Sequence, residues 1–169
     1  MSHQVIALVG NPRPGSRTAA AATHVAGRLA ADVRTIDLAE LAGEIFAPAH
    51  PAVDEALAAV AAARTIVVAT PVYKASYTGL LKSFLDLYGP NGLAGVRAVP
   101  LVVSGNPAHA LAGEVHLRPL LVELGAVVPT RTLSVLDSQL ADLDEAVDRW
   151  LDAGARDALS APETAAVAR

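Results

Sequence analysis

The chain has 169 residues, 53% of them hydrophobic, with a formal net charge of −4 and no cysteine. That length suits one domain with a sizeable core. The lack of cysteine removes disulfides, thiol nucleophiles and Cys-ligated zinc or iron–sulfur clusters, and the scattered arginines offer no basic stripe for nucleic acid. Every apolar run is interrupted before it reaches membrane-span length and Met1 opens no secretory signal, so a soluble, cytoplasmic protein is expected, whose redox chemistry, if any, rests on an organic cofactor.

Val5 to Val9 is short, apolar and unbroken, as in a strand buried on both faces of a parallel sheet. Gly10-Asn11-Pro12-Arg13-Pro14-Gly15 then forbids helix until Ser16, where a helix to about Ala31 begins. Val33 to Leu38 alternates as a partly exposed strand. Ala39 to Pro51 reads as a long connection with one short helical turn, and Val53 to Ala63 as a helix. Thr65 to Thr70 is a second fully buried strand, ended by Pro71, with a helix from about Tyr77 to Leu87. Gly89 to Gly92 is a turn before a strand from Val96 to Val103, in which Pro100 sits awkwardly for a central position. Ser104 to Pro107 turns the chain into a helix that runs to Leu124 and is capped by Gly125. Val127 to Val135 is a fifth strand, broken near Pro129, and the last helix starts near Ser138. Residues 1–159 are read as one domain and 160–169 as a flexible tail.

Five strands alternating with helices require an α/β fold: a doubly wound parallel sheet with helices on both faces. The five-strand order 2-1-3-4-5 places the ends of strands one, three and four around the switch point. Those are the ends with unusual turns: Gly10 to Thr18, Pro71 to Ser76, and Ser104 to Pro107. The first aims a helix N-terminus outward and surrounds it with Arg13, Ser16, Arg17 and Thr18, which suits a phosphate. No Gly-x-Ser-x-Gly elbow supports a hydrolase, and no histidine pair has zincin spacing.

Gly10 to Thr18, Thr70-Pro71-Val72-Tyr73-Lys74-Ala75-Ser76-Tyr77-Thr78-Gly79 and Leu80 to Asp86 resemble the NAD(P)H-dependent FMN reductases of the flavodoxin-like fold. The likeness spans residues 4 to 137 and is nearest to the reductases that serve alkanesulfonate-type monooxygenases. It implies FMN, with NADPH or NADH as hydride donor, and a flavin-dependent monooxygenase as a partner. By position, Asn11, Arg13, Ser16, Arg17 and Thr18 would hold the phosphate. Pro71, Val72, Tyr73 and Lys74 would line the isoalloxazine and ribityl, and Ser104, Gly105 and Asn106 would border the pyrimidine end. Asn11 and Asn106 depart from the Ser and Gly usual there, although asparagine still donates hydrogen bonds. No catalytic side chain is expected, because flavin and nicotinamide carry the bond changes. Lys74, His109 and His116 also suit plain surface positions.

Two other readings stay open: a quinone or azo-compound reductase that retains FMN, and a flavodoxin-like electron carrier. The turns hold no Asp or Glu and little aromatic cover, whereas a carrier of that type concentrates both around its ring. The helices containing Leu80, Leu81, Phe84, Leu85 and Leu87, and Leu111, Val115, Leu117 and Leu121, carry wide apolar faces that predict a homodimer or homotetramer. The resembling reductases also imply a π-bulge near Val115, which the residues themselves leave open.

Overall fold

Five strands, β1 (Val5–Val9), β2 (Val33–Asp37), β3 (Thr65–Pro71), β4 (Arg97–Ser104) and β5 (Leu133–Leu136), form one sheet in the computed structural model, which describes residues 5–161. All pairs are parallel and the order is β2-β1-β3-β4-β5. The doubly wound flavodoxin-like topology expected from the alternation is therefore present. Strand period two divides the core cleanly. Ile6, Leu8, Ile66 and Val68 pack with α3 (Pro51–Ala61), α4 (Gly79–Leu85) and α5 (Arg118–Glu123) on one face. Val5, Ala7, Val9, Val67 and Ala69 pack with α1 (Arg17–Leu29) and α6 (Leu143–Trp150) on the other. Between β2 and α3 the expected helical turn is α2 (Leu38–Leu41).

Helix α1 buries Ala19, Ala21, Ala22, Val25 and Ala26, small side chains that bring its axis close to the sheet. Its N-cap is Ser16, whose hydroxyl accepts the Ala19 N–H at 3.2 Å. Pro100 is accommodated in β4 despite a neighbour on either side. The Ala98 N–H, two residues earlier and so pointing the same way, donates to Val127 on the β5 side. The regular β4–β5 register begins only at Leu101–Leu133, so the missing donor of Pro100 falls in the gap between the Val127 bridge and β5. The fifth strand is accordingly shorter than the expected Val127 to Val135.

The segment expected as one helix after Pro107 to about Leu124 is three pieces: a 3₁₀ turn Pro107–His109, a π-helical turn Gly113–Leu117, and α5. The bulge near Val115 is present. Glu114 accepts the Thr132 N–H at 2.5 Å, and Arg118 donates to the carbonyls of Val128 at 2.8 Å and Thr130 at 2.5 Å, so the widened turn grips the loop before β5. Gly125, at φ +84°, ends α5: its N–H donates to Val122 and that of Ala126 to Leu121, the paired bonds of a Schellman cap. The last helical stretch also subdivides, into a 3₁₀ turn Asp137–Asp142, α6, a π turn Leu151–Ala155 and α7 (Arg156–Ser160), with Gly154 at φ +108°.

Most of the wide apolar face of α4 is covered, with Leu87, just past its end, 38% exposed. Leu81, Phe84 and Leu85 are fully buried, Leu80 and Tyr88 pack on the core, and Tyr88 donates its hydroxyl to the Leu57 carbonyl at 2.9 Å. Sitting between α3 and α5, this helix needs more than a single sheet-facing stripe. The next helix is different: Leu111, Val115 and Val122 are each more than half exposed. Of the expected tail, Ser160 closes α7 and the carbonyl of Ala161 accepts from Arg97 at 2.7 Å, while 162–169 lie outside the described residues.

Candidate functional site

The carboxyl ends of β1, β3 and β4 turn outward side by side, and a cleft of about 550 Å³ opens between them. It is lined by Asn11, Arg13, Pro14, Ser16, Arg17 and Thr18 from the first turn. Pro71, Val72 and Tyr73 come from the second, and Val103, Ser104 and Gly105 from the third, with Asp137 after β5. Ten of the twelve residues expected to bind the flavin thus share one cavity. The other two lie outside its lining: Lys74 is exposed at a hairpin tip, and the Asn106 side chain accepts the Ala108 N–H at 2.9 Å to start the 3₁₀ turn.

The first turn is built from inside. Asn11 is buried, its Oδ1 accepting the Arg13 N–H at 3.0 Å and its Nδ2 donating to Thr18 Oγ1 at 3.1 Å. Gly15 takes φ +61°, the left-handed region that glycine enters without a Cβ penalty. Its N–H donates to Asp37 Oδ2 at 3.0 Å, while Asp37 Oδ1 accepts from Ala39 at 3.1 Å. The bracing carboxylate therefore belongs to β2. Around the free end of α1 the side chains of Arg13, Ser16, Arg17 and Thr18 add donors to the exposed N–H groups of the first helical turn, a donor set that fits a phosphate dianion.

Thr78 ties the second turn to the first. It is buried, donates its hydroxyl to the Gly10 carbonyl, accepts the Leu81 N–H at 3.1 Å as the cap of α4, and donates its own N–H to Thr70 at 3.2 Å. Gly10 is closely packed there, since a Cβ would stand 2.6 Å from Leu81 Cβ. Tyr73 and Ser76 exchange two backbone hydrogen bonds across Lys74 and Ala75, which both take positive φ, +50° and +65°. This tight hairpin holds left-handed backbone in two residues that have a Cβ, a strain characteristic of binding loops. Tyr73 is 43% exposed beside the cleft.

Asp137 is the one carboxylate lining the cleft, and it meets Arg17 at 3.2 Å across the mouth. Sequence reasoning missed Asp37, Thr78 and Asp137. Thr78 carried a signal, a threonine before an apolar helical run, but the other two act across 22 and 120 positions of the chain. His109 and His116 stay out of the lining. A further cavity, about 300 Å³, opens at the amino ends of the strands. Three of its arginines are already committed, Arg28 and Arg156 to aspartates and Arg97 to the carbonyls of Leu159 and Ala161. Among the described residues there is no cluster of three or more groups that could hold a metal, and no helix is long and apolar enough to cross a membrane.

The NADPH-dependent FMN reductase family matches residues 3–140 of the chain. An FMN reductase (NADPH) of Escherichia coli is 35% identical over 145 residues, covering 82% of this chain and 76% of that protein. The NADH-dependent FMN reductase SfnF of Pseudomonas fluorescens is 32% identical, covering 82% and 79%. Among solved structures, an NADH:FMN oxidoreductase in its apo form superposes with a TM-score of 0.76 at 31% identity, over 97% of this chain and 92% of that one.

Proposed function

The chain belongs to the NADPH-dependent FMN reductase family, and from that membership we propose that the cleft between its three turns binds FMN and receives NADPH or NADH against it for hydride transfer. The observation that carries this is the convergence of Arg13, Ser16, Arg17, Thr18 and the α1 N-terminus at one end of an open cleft, with the Pro71 to Tyr73 hairpin and Ser104 to Gly105 at the other. The donor cluster fits the ester phosphate, and the space between the turns fits a flat ring. FMN supplies the hydride-accepting ring, and the chain's own residues bind and orient.

Arg13 and Arg17 would neutralise the phosphate, and Ser16 and Thr18 would donate to it. Val72 and Tyr73, set by the strained hairpin, would form a wall along the ring. The backbone at Ser104 and Gly105 would face its pyrimidine edge, where N–H groups favour the negative charge that develops on reduction. No side chain is assigned a proton transfer. The half-open cleft leaves room for a second ligand over the ring, as a reductase needs and a pure electron carrier does not.

We place the protein in the cytoplasm, delivering reduced FMN to a flavin-dependent monooxygenase, a reading supported by the resemblance of its turn sequences to the reductases of such systems. The exposed Leu111, Val115 and Val122 support a homodimer or homotetramer assembled through the helix that contains the π turn. Light scattering on Leu111→Glu/Val115→Glu should return the monomer mass of 17.3 kDa where the wild type returns a multiple of it. A monomeric wild type at micromolar concentration sinks the assembly. For the activity, purified protein mixed with FMN and either NADPH or NADH should oxidise the nicotinamide; no turnover with either donor, with and without oxygen, refutes the reading.

A further inference from the structure

We infer that Asn11 is a positioning residue that makes the Thr18 hydroxyl an obligatory donor to the flavin phosphate, so that Asn11 sets the preference for FMN over riboflavin without touching either. The inference rests on the FMN reading of the cleft. Three facts carry it. First, the orientation of the Asn11 amide is decided by the fold: Oδ1 accepts the Arg13 N–H at 3.0 Å, a group that can only donate, so Nδ2 must face Thr18. Second, Nδ2 donates to Thr18 Oγ1 at 3.1 Å, which occupies an oxygen lone pair and turns the hydroxyl proton away from Asn11. Third, Thr18 is only 2% exposed and lines the cleft, and among the described residues no hydrogen bond has its Oγ1 as donor.

A buried hydroxyl with an unspent proton at the edge of a cavity calls for an acceptor from outside the chain. Ser16 behaves alike, since its Oγ is engaged as an acceptor by the Ala19 N–H. Two hydroxyls, two guanidinium groups and the N–H groups of the first turn of α1 thus line one cleft as donors, with the Asp137 carboxylate on Arg17 as the competing acceptor. Such a cradle selects fully ionised phosphate oxygens, and riboflavin has none to offer.

Fluorescence titration of FMN and of riboflavin, in parallel, tests the inference on wild type, Asn11→Asp, Asn11→Ala, Thr18→Val and the Asn11→Ala/Thr18→Val double variant. Asn11→Asp still accepts the Arg13 N–H and so keeps the turn, but it draws the Thr18 proton to itself and faces the phosphate with a negative charge. It should weaken FMN about tenfold or more while riboflavin stays within about twofold. Adding Asn11→Ala to Thr18→Val should cost FMN affinity less than Asn11→Ala costs the wild type, because the hydroxyl through which Asn11 acts is already gone and only the Arg13 N–H brace remains to be lost. The inference is overturned if Asn11→Asp binds FMN like the wild type, if both flavins weaken alike in it, or if the losses in the double variant multiply. A wild type that does not bind FMN, or binds it no better than riboflavin, instead removes the phosphate reading itself, and this proposal with it.

Discussion

Asp37 and Gly15 are joined by a hydrogen bond of 3.0 Å that carries the end of β2 to the turn after β1. The carboxylate has a second obligation, the Ala39 N–H at 3.1 Å. An amide has one acceptor oxygen where both of these bonds need one, so Asp37→Asn must release one of them. A hydrogen bond to a charged group is worth about 1.5 kcal/mol or more net, and less at an exposed strand end. FMN should then bind about three- to tenfold more weakly, with a small drop in melting temperature; unchanged affinity in calorimetric titration would show that the brace is irrelevant to the turn.

Asp137 competes with a phosphate for Arg17. Both side chains are substantially exposed, 71% and 41%, so the pair itself contributes little, on the order of 0–1 kcal/mol. Asp137→Asn should free the guanidinium and remove a repulsive charge, tightening FMN by up to about fivefold at low salt and by less at high salt. Arg13→Ala should weaken FMN and leave riboflavin nearly unaffected. Tighter riboflavin binding in Asp137→Asn, equal to that of FMN, would place the carboxylate beside the ring and away from the phosphate.

At Gly113 an added Cβ would lie 2.2 Å from Thr132 Cγ2 and 2.9 Å from its Cβ, a β-branched residue with few rotamers to escape into. Alanine brings a helix-propensity gain of about 1 kcal/mol, while forced overpacking costs about 1–3 kcal/mol. Gly113→Ala should therefore be net destabilising in a denaturant titration and should loosen the Glu114 and Arg118 contacts to the loop before β5. A variant as stable as the wild type contradicts the close approach.

Asp144 links α6 to α1. Its carboxyl lies below the usual carboxylate range, chiefly through its hydrogen bond with His24, which outweighs the opposing desolvation, with Arg28 adding to it. A carboxylate whose folded value is depressed stabilises the fold above its unfolded value, and that contribution is lost as pH falls through the folded one. The loss should set in as pH drops below the ordinary aspartate range near 4. Asp144→Asn should show a shallower fall of stability over that acid range than the wild type, and parallel curves would remove Asp144 from the acid transition.

The strands were legible because β1 and β3 are unbroken apolar runs ended by a turn-forming residue, and β4 is one interrupted only at Pro100, and their count dictated the topology. The three cleft turns were legible for the same reason, Pro and Gly beside clustered donors. What stayed hidden depends on partners distant in the chain. The apolar width of α4 suggested an exposed face, yet Leu81, Phe84 and Leu85 are spent in one core with Leu93, Leu117 and Leu121. Asp37 carries no local signal, since only the fold puts it under Gly15. Asn11 was read as a ligand donor; it lines the cleft, and its amide also bonds the Arg13 N–H and Thr18 within the turn, which no local pattern shows. The π turn could not be read from local pattern, because what holds it open is the loop around Thr130 and Thr132.

Pro100 leaves β5 attached by four register pairs, Leu101–Leu133 to Ser104–Leu136, where β3 and β4 share seven. Local opening is cheapest where the ladder is shortest. Amide protons of β5 should consequently exchange with solvent well before those of β1, β3 and β4, which report global unfolding. When that edge detaches it swings Asp137 away from the cleft mouth and parts it from Arg17, while the turn braced by Asp37 and Thr78 stays closed on the far side. The cleft thus has a compliant rim and a stiff one, and a bound molecule would be released past the rim that carries β5.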